Sequence, residues 1–158
     1  MEEVYKKLEE LNIPYKKYDH PAVYTTKEAE RYTKDIEGVD TKNLFLKGKK
    51  GRRYHLVILP AEEKADLEKL AEELNEKKLS FASSEKLMRY LGLEAGSVSP
   101  FGLVNDKHSE VGALVHEDLV KAEEVGFHPN KNTATVVISG EDFEAFLKHT
   151  GNKISYFS

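Results

Sequence analysis

Three short stretches hold the residue types that chemistry needs. The first is Gly96-Ser97-Val98-Ser99-Pro100-Phe101-Gly102-Leu103. Its glycines, serines and proline exclude a helix interior, and Pro100 has no N–H for a central strand. A loop of this kind curves tightly and can aim backbone N–H groups at one spot, where an anion or a developing oxyanion would sit. Val98, Phe101 and Leu103 would anchor it to a core. The same composition also suits a plain connection between a helix and a strand. The second stretch is Thr41-Lys42-Asn43-Leu44-Phe45-Leu46-Lys47. Lys42 reads either as a solvated charge at a strand mouth or as a fixed cation for a phosphate or a growing negative charge. Asn43 brings a donor and an acceptor, for a turn or for a ligand. The third stretch runs from Gly126 to Thr135. Its His128 is either a packed ring with one satisfied nitrogen or a group that orients a hydroxyl or a water.

Other chemistries find no support. There is no cysteine, so disulfides, thiolate metal sites and a cysteine nucleophile are excluded. The histidines at 20, 55, 108, 116, 128 and 149 show no HExxH or other short ligand spacing. No metal and no cofactor are expected. Ser97 and Ser99 do not sit in a G-x-S-x-G elbow, so a serine triad is unsupported. Whatever chemistry occurs must rest on donors, a cation and an admitted water.

The elements that would position these residues follow from periodicity. Val4, Leu8 and Leu11 mark an amphipathic helix over 2–11, with Glu2–Lys6 and Glu3–Lys7 as exposed i,i+4 pairs. Tyr15 to Asp19 reads as a short strand. His20-Pro21 breaks the chain and reads as a structural turn. Thr25-x-x-Glu28 fits a capping box for a helix from about Thr26 to Lys34. Asp35 to Asp40 reads as a loop. Asn43–Lys47 and Arg53–Leu59 form the clearest hairpin, turning at Gly48-Lys49-Lys50-Gly51. Asp66 caps a helix that turns Leu67, Leu70, Ala71 and Leu74 inward. Lys77 to Ala82 is an extended link. Ser83 or Ser84 caps the next helix, with Leu87, Met88 and Leu91 inward and Gly92 at its end. Phe101–Val104 and Val111–His116 read as strands. Glu117–Glu124 is a short helix or turn, and Thr133–Ile138 a β-branched, central strand. Ser139 caps a last helix with Phe143, Phe146 and Leu147 inward, and a terminal strand follows Gly151.

The chain of 158 residues suits one domain, 1–158, with a single sizeable core. No apolar run is long enough for a membrane, and no signal-peptide pattern is seen. A cytoplasmic location is expected. The net charge of −4 excludes a uniformly basic nucleic-acid coat. A local basic run does exist: Lys47, Lys49, Lys50, Arg52 and Arg53, with no acid between Asp40 and Glu62. It is either a solvated turn or a contact for nucleic-acid phosphates.

In order and spacing, Lys42-Asn43, the GxxxP loop Gly96–Pro100, and His128-Pro129 with Asn132 and Thr135 resemble the YbaK family. That family comprises the editing domain inserted in bacterial prolyl-tRNA synthetases and its free-standing relatives. His20-Pro21 with Tyr24-Thr25 looks like the family's early segment, so the resemblance spans nearly the whole chain. It implies a mixed α+β fold: a curved, mixed and mainly antiparallel sheet surrounded by helices. It implies an aminoacyl-tRNA deacylase acting on mischarged tRNA(Pro), with Ala-tRNA(Pro) favoured and Cys-tRNA(Pro) as the runner-up. A non-catalytic module that senses aminoacyl-tRNA is the reading from another class. By the resemblance, Lys42 holds the terminal nucleotide and the Gly96 loop supplies backbone donors. Asn43 and His128 complete the pocket with Ser97, Val98, Ser99, Pro100 and Phe101. The family is thought to recruit the substrate's own ribose hydroxyl or side chain, in keeping with the missing nucleophile. The implied partners are the tRNA(Pro) acceptor stem, met by the basic run, and prolyl-tRNA synthetase.

Overall fold

The computed structural model describes residues 1–24, 26–49 and 53–158. The first helix, α1 (Glu2–Glu10), buries Val4, Tyr5 and Leu8. Its surface ion pair is Lys7–Glu10, in place of the expected i,i+4 pairs. Strand β1 (Lys16–Asp19) and helix α2 (Thr26–Thr33) follow. Thr25, the expected cap of α2, lies outside the described residues. The hairpin pairs β2 (Val39–Gly48) with β3 (Tyr54–Pro60), antiparallel. Then come α3 (Leu67–Glu73), β4 (Leu79–Phe81) and α4 (Ser84–Leu91). A 3-10 helix spans Pro100–Asn105. The chain ends with β5 (Val111–His116), α5 (Glu117–Lys121), β6 (Val125–Phe127), β7 (Ala134–Ile138), α6 (Gly140–Thr150) and β8 (Ile154–Phe157).

The strands form one mixed sheet in the order β1-β7-β6-β2-β3-β5-β8, with β4 also paired to β2. This is the expected mixed sheet with helices around it. Its two faces carry different cores. Alternation sends Phe45, Leu56, Ile58, Val136 and Ile138 to the larger core. Leu46, Val57, Leu59 and Leu114 go to a smaller core closed by α3.

Several expectations need correction. Val39 and Asp40 belong to β2 and not to a loop, because they pair in parallel with Val125 and Gly126. Leu79–Phe81 is a strand on the edge of β2 away from β3, where an extended link was expected. Phe101–Val104 is part of a 3-10 helix. Ser99 caps it by accepting from Phe101 N–H at 3.1 Å, and Pro100 fills its first position. Met88 points outward at 49% exposure, while Leu87 and Leu91 are buried. The caps at Asp66, Ser83, Gly92 and Ser139 are as expected.

At the hairpin end, away from Lys42, a buried polar cluster locks β2 and β3 to α3. His55 Nε2 lies 2.7 Å from Glu76 Oε2, and Arg53 reaches Glu76 Oε1 at 3.4 Å. Burial pushes His55 below the usual histidine range, against the pull of Glu76. The neutral ring therefore donates Nε2–H to the carboxylate. Gly48 leaves the space: a Cβ there would run into the Glu76 carboxylate. Glu76→Ala is expected to cost about 3 kcal/mol, since it strips a buried network of its acceptor. A thermal melt should read this as a drop of roughly 6–12 °C.

Candidate active site

Strand β2 changes neighbours in mid-course, and the site sits at that change. On the edge away from β3, Asp40 pairs with Gly126 of β6, whereas Leu46 to Gly48 pair with β4. Two parallel strands that part in this way leave a crevice beyond their carboxyl ends. Thr41 bridges the parting, its Oγ1 donating to Gly126 O at 2.6 Å. Lys42 and His128 each lie two residues beyond the Asp40–Gly126 pair, one on either bank. Lys42 is therefore the fourth residue of a ten-residue strand and not at its mouth.

Alternation puts Lys42 and Asp40 on the face opposite the larger core. Lys42 is half-buried and makes no ion pair or hydrogen bond among the described residues. Thr135 of β7 shares this face and accepts or donates at His20 Nε2, 3.0 Å away. His20 Nδ1 lies 3.0 Å from Pro21 O, so that nitrogen carries the proton. In that tautomer Nε2 accepts from the Thr135 hydroxyl. The His20 ring meets His128 edge-on, with centroids 6.2 Å apart. His20 is thus a neighbour of the site as well as a turn residue. Gly126 keeps the spot between Asp40 and Thr135 open; a Cβ would stand 3.2 Å from Thr135 Cγ2.

His128 is held the same way. Its Nδ1 lies 3.1 Å from Ala134 O, so Nδ1 donates and Nε2 keeps a lone pair. Burial pushes its pKa below the ordinary histidine value, and the nearby His20 adds to the fall. Ala134 O and Asp40 pull the other way. At neutral pH the ring is a neutral acceptor. Burial raises the Asp40 carboxyl, while Thr41 N–H at 3.0 Å and the two histidines lower it. As a residue Asp40 is exposed, so water still reaches it.

The Gly96 loop closes on the same two segments. Gly96 has φ +89°, and its absent Cβ would stand 3.7 Å from Asn132 Nδ2 and 4.0 Å from Tyr24 Cδ1. Asn132 in turn donates to Val23 O at 2.9 Å. The stretches 20–24, 96–98 and 128–135 therefore meet. Ser97 N–H is bound to Glu94 O, and Phe101 N–H to Ser99 Oγ. The N–H groups of Gly96, Val98 and Ser99 have no acceptor among the described residues. These are the donors that the loop retains.

Other expected site residues have structural roles or lie elsewhere. Phe101 is 1% exposed and packs edge-on against Phe127 and Phe146, so it braces the loop from behind. Pro100 is buried, Ser99 is a cap, and Val98 packs partly on the larger core. Asn43 turns to the larger-core face with its Oδ1 buried and unpartnered. Lys47 and Lys49 are exposed toward the hairpin end and not beside Lys42, with Lys47 already about 17 Å along the strand from it. Arg53 is engaged with Glu76, Leu74 O and Asn75 O. Lys50 and Arg52 lie outside the described residues. Asp40 was not read as a site residue, because its place depends on pairing with a strand 86 positions away. Among the described residues no cluster of metal-ligating side chains occurs, and no helix is long and apolar enough to cross a membrane.

A family model described as the aminoacyl-tRNA editing domain matches residues 20–146. The prolyl-tRNA editing protein ProX of Acetoanaerobium sticklandii is 46% identical over 151 residues, covering 94% of this chain and 91% of that protein. The prolyl-tRNA synthetase associated domain-containing protein 1 of Bos taurus is 32% identical, covering 93% and 88%. The crystal structure of a candidate trans-editing enzyme for prolyl tRNA synthetase matches with a TM-score of 0.68 at 24% identity, covering 90% and 85%. At that identity the structural likeness speaks for the fold.

Proposed function

Because the chain belongs to the YbaK-like aminoacyl-tRNA editing domain family, we propose that it is a trans-acting deacylase of mischarged tRNA(Pro), with Ala-tRNA(Pro) as its preferred substrate. The observation that carries this reading is the likeness, over nearly the whole chain, to a prolyl-tRNA editing protein. The unpaired Lys42, the loop donors and the His128 acceptor suit the reaction.

The ester between an amino acid and a ribose is already activated, so positioning and charge stabilisation suffice. Lys42 holds the phosphate of the terminal nucleotide. The retained N–H groups of the Gly96 loop face the carbonyl oxygen as it gains charge. A water oxygen adds to the carbonyl carbon, the bond to the ribose oxygen breaks, and that oxygen leaves with a proton. His128 Nε2 accepts a hydrogen bond from the water or from the neighbouring ribose hydroxyl.

The test is deacylation of tRNA(Pro) charged in turn with Ala, Cys, Ser and Pro. The reading requires fastest cleavage of the alanyl ester. Fastest cleavage of the cysteinyl ester would move the chain to the Cys-tRNA(Pro) branch. Tight binding without single-turnover cleavage would make it a sensor. A pH profile adds a check on His128. Its folded pKa lies below the usual 6.5. Activity that needs the neutral ring should hold from neutrality down through 6.5 and fall only below it. Stability shifts in the same direction: below 6.5 the unfolded chain takes the proton first, so this group favours unfolding in acid.

For the basic run, neutralising Lys49, Lys50 and Arg52 together is expected to weaken tRNA binding and to flatten its dependence on salt. Arg53 is left out because its charge serves Glu76. Unchanged affinity and salt slope would leave the hairpin end as a solvated turn.

A further inference from the structure

Tyr24 is 76% exposed, more than any other large apolar side chain among the described residues. Its backbone is not loose. Tyr24 N–H donates to Glu28 Oε2 at 3.1 Å, and the preceding carbonyl of Val23 accepts from Asn132 at 2.9 Å. Val23 itself is buried. The peptide group that leads into Tyr24 is thus held through both its carbonyl and its N–H, while the ring stands in solvent. The ring borders the bare backbone of Gly96, with Cδ1 4.0 Å from the place a Cβ would occupy. An exposed π-face beside a pocket mouth is what a flat, aromatic ligand needs.

We propose that Tyr24 is the stacking platform for the 3′-terminal adenine of the tRNA. The inference rests on the deacylase reading and extends it to the base. Ester and base hang from one ribose. An ester carbonyl against the Gly96 loop therefore leaves the base within one sugar's width, where the Tyr24 ring stands. Lys42 takes the phosphate of the same nucleotide on the strand side. Phe81, also exposed, sits on β4 beside the hairpin end and cannot serve this ribose.

The experiment uses tRNA(Pro) whose 3′-terminal adenine is replaced by 2-aminopurine, titrated with the full chain. Stacking on an aromatic ring quenches this base. Wild-type protein and Tyr24→Phe should quench it, whereas Tyr24→Ala and Tyr24→Leu should not. In deacylation of Ala-tRNA(Pro), Tyr24→Ala should raise KM at least five-fold and change kcat far less, with Tyr24→Phe restoring KM. The exposed ring makes no core contact, so the melting temperature should hold in all variants. Equal quenching by Tyr24→Ala and wild type, or a KM loss without loss of quenching, would overturn the proposal. If wild-type protein binds and quenches but cleaves no ester, the deacylase reading fails and the platform stands.

Discussion

Replacing Lys42 by alanine is expected to remove most deacylation and to leave the fold in place. Lys42 is half-buried on β2, opposite Leu59 of β3, and has no acidic partner among the described residues. A structural lysine in a strand would be expected to meet a carboxylate or to lie fully in water. This one stands where β2 leaves β6, on the face that carries Asp40, with His128 on the facing bank. Losing a charge-assisted contact made in the transition state should cost about 2–4 kcal/mol. That is roughly a 30- to 900-fold fall in rate. The strand itself should lose no more than about 1 kcal/mol, since the exchange changes packing little. Lys42→Arg keeps the charge but spreads it over a planar fork, so it should recover only part of the rate. Single-turnover cleavage of Ala-tRNA(Pro), measured beside a thermal melt, decides the matter. A folded Lys42→Ala protein with near-normal turnover would take Lys42 out of the site.

Local signals made most elements legible. Alternation and turn residues marked the β2–β3 hairpin, and side-chain caps marked α3, α4 and α6. What stayed hidden depends on distant partners. Val39 and Asp40 are strand residues only because Val125 and Gly126 lie beside them. The three-residue β6 is too short to show a period at all. The run Phe101–Val104 shows the ambiguity of a short apolar stretch, which fits a strand or a helical turn equally. The deciding signal was present, since Ser99-Pro100 is a cap followed by a favoured first helical residue. Met88 continued the apolar stripe of α4, but the core stops at Leu87 and Leu91.

The candidate site was legible in its motifs and not in its geometry. The motif set named Lys42, Gly96 and His128; Lys42 and His128 flank the β2–β6 parting, and the Gly96 loop meets the stretch that follows His128. Phe101 anchors the loop to the core, as its apolar character implied, and does not line the pocket in which the resemblance put it. Here the 3-10 turn carries it into the core. The basic run was adjacent to Lys42 in sequence, yet an extended strand turns five residues into a separation of about 17 Å.

Gly96→Val is expected to damage catalysis more than stability, through backbone strain and blocked approach of the ester rather than a clash within the fold. At φ +89° a β-branched residue is strained, at about 1–3 kcal/mol. A Cβ at Gly96 would meet only Asn132 and Tyr24, both at ordinary contact distance, so no clash forces the loop open. The new methyl groups would instead occupy the space before the loop donors, where the ester must approach. Relief of the strain would turn those N–H groups away as well. A misplacement of about 1 Å can cost some hundred-fold in rate. Gly96→Ala carries the strain with less bulk and should fall between. The same loop bears on selection. Proline is larger than alanine, and a methylene is worth only about 1–3 kcal/mol, so proline must be excluded by a wall that does not yield. The loop has such backing: Val98 packs on the larger core, and Phe101 is clamped between Phe127 and Phe146. Wild-type protein should therefore cleave Ala-tRNA(Pro) much faster than Pro-tRNA(Pro). Phe101→Ala, by loosening the wall, should narrow that ratio while lowering stability by about 3–5 kcal/mol. Equal wild-type rates on the two esters would refute the size sieve, whatever Gly96→Val does.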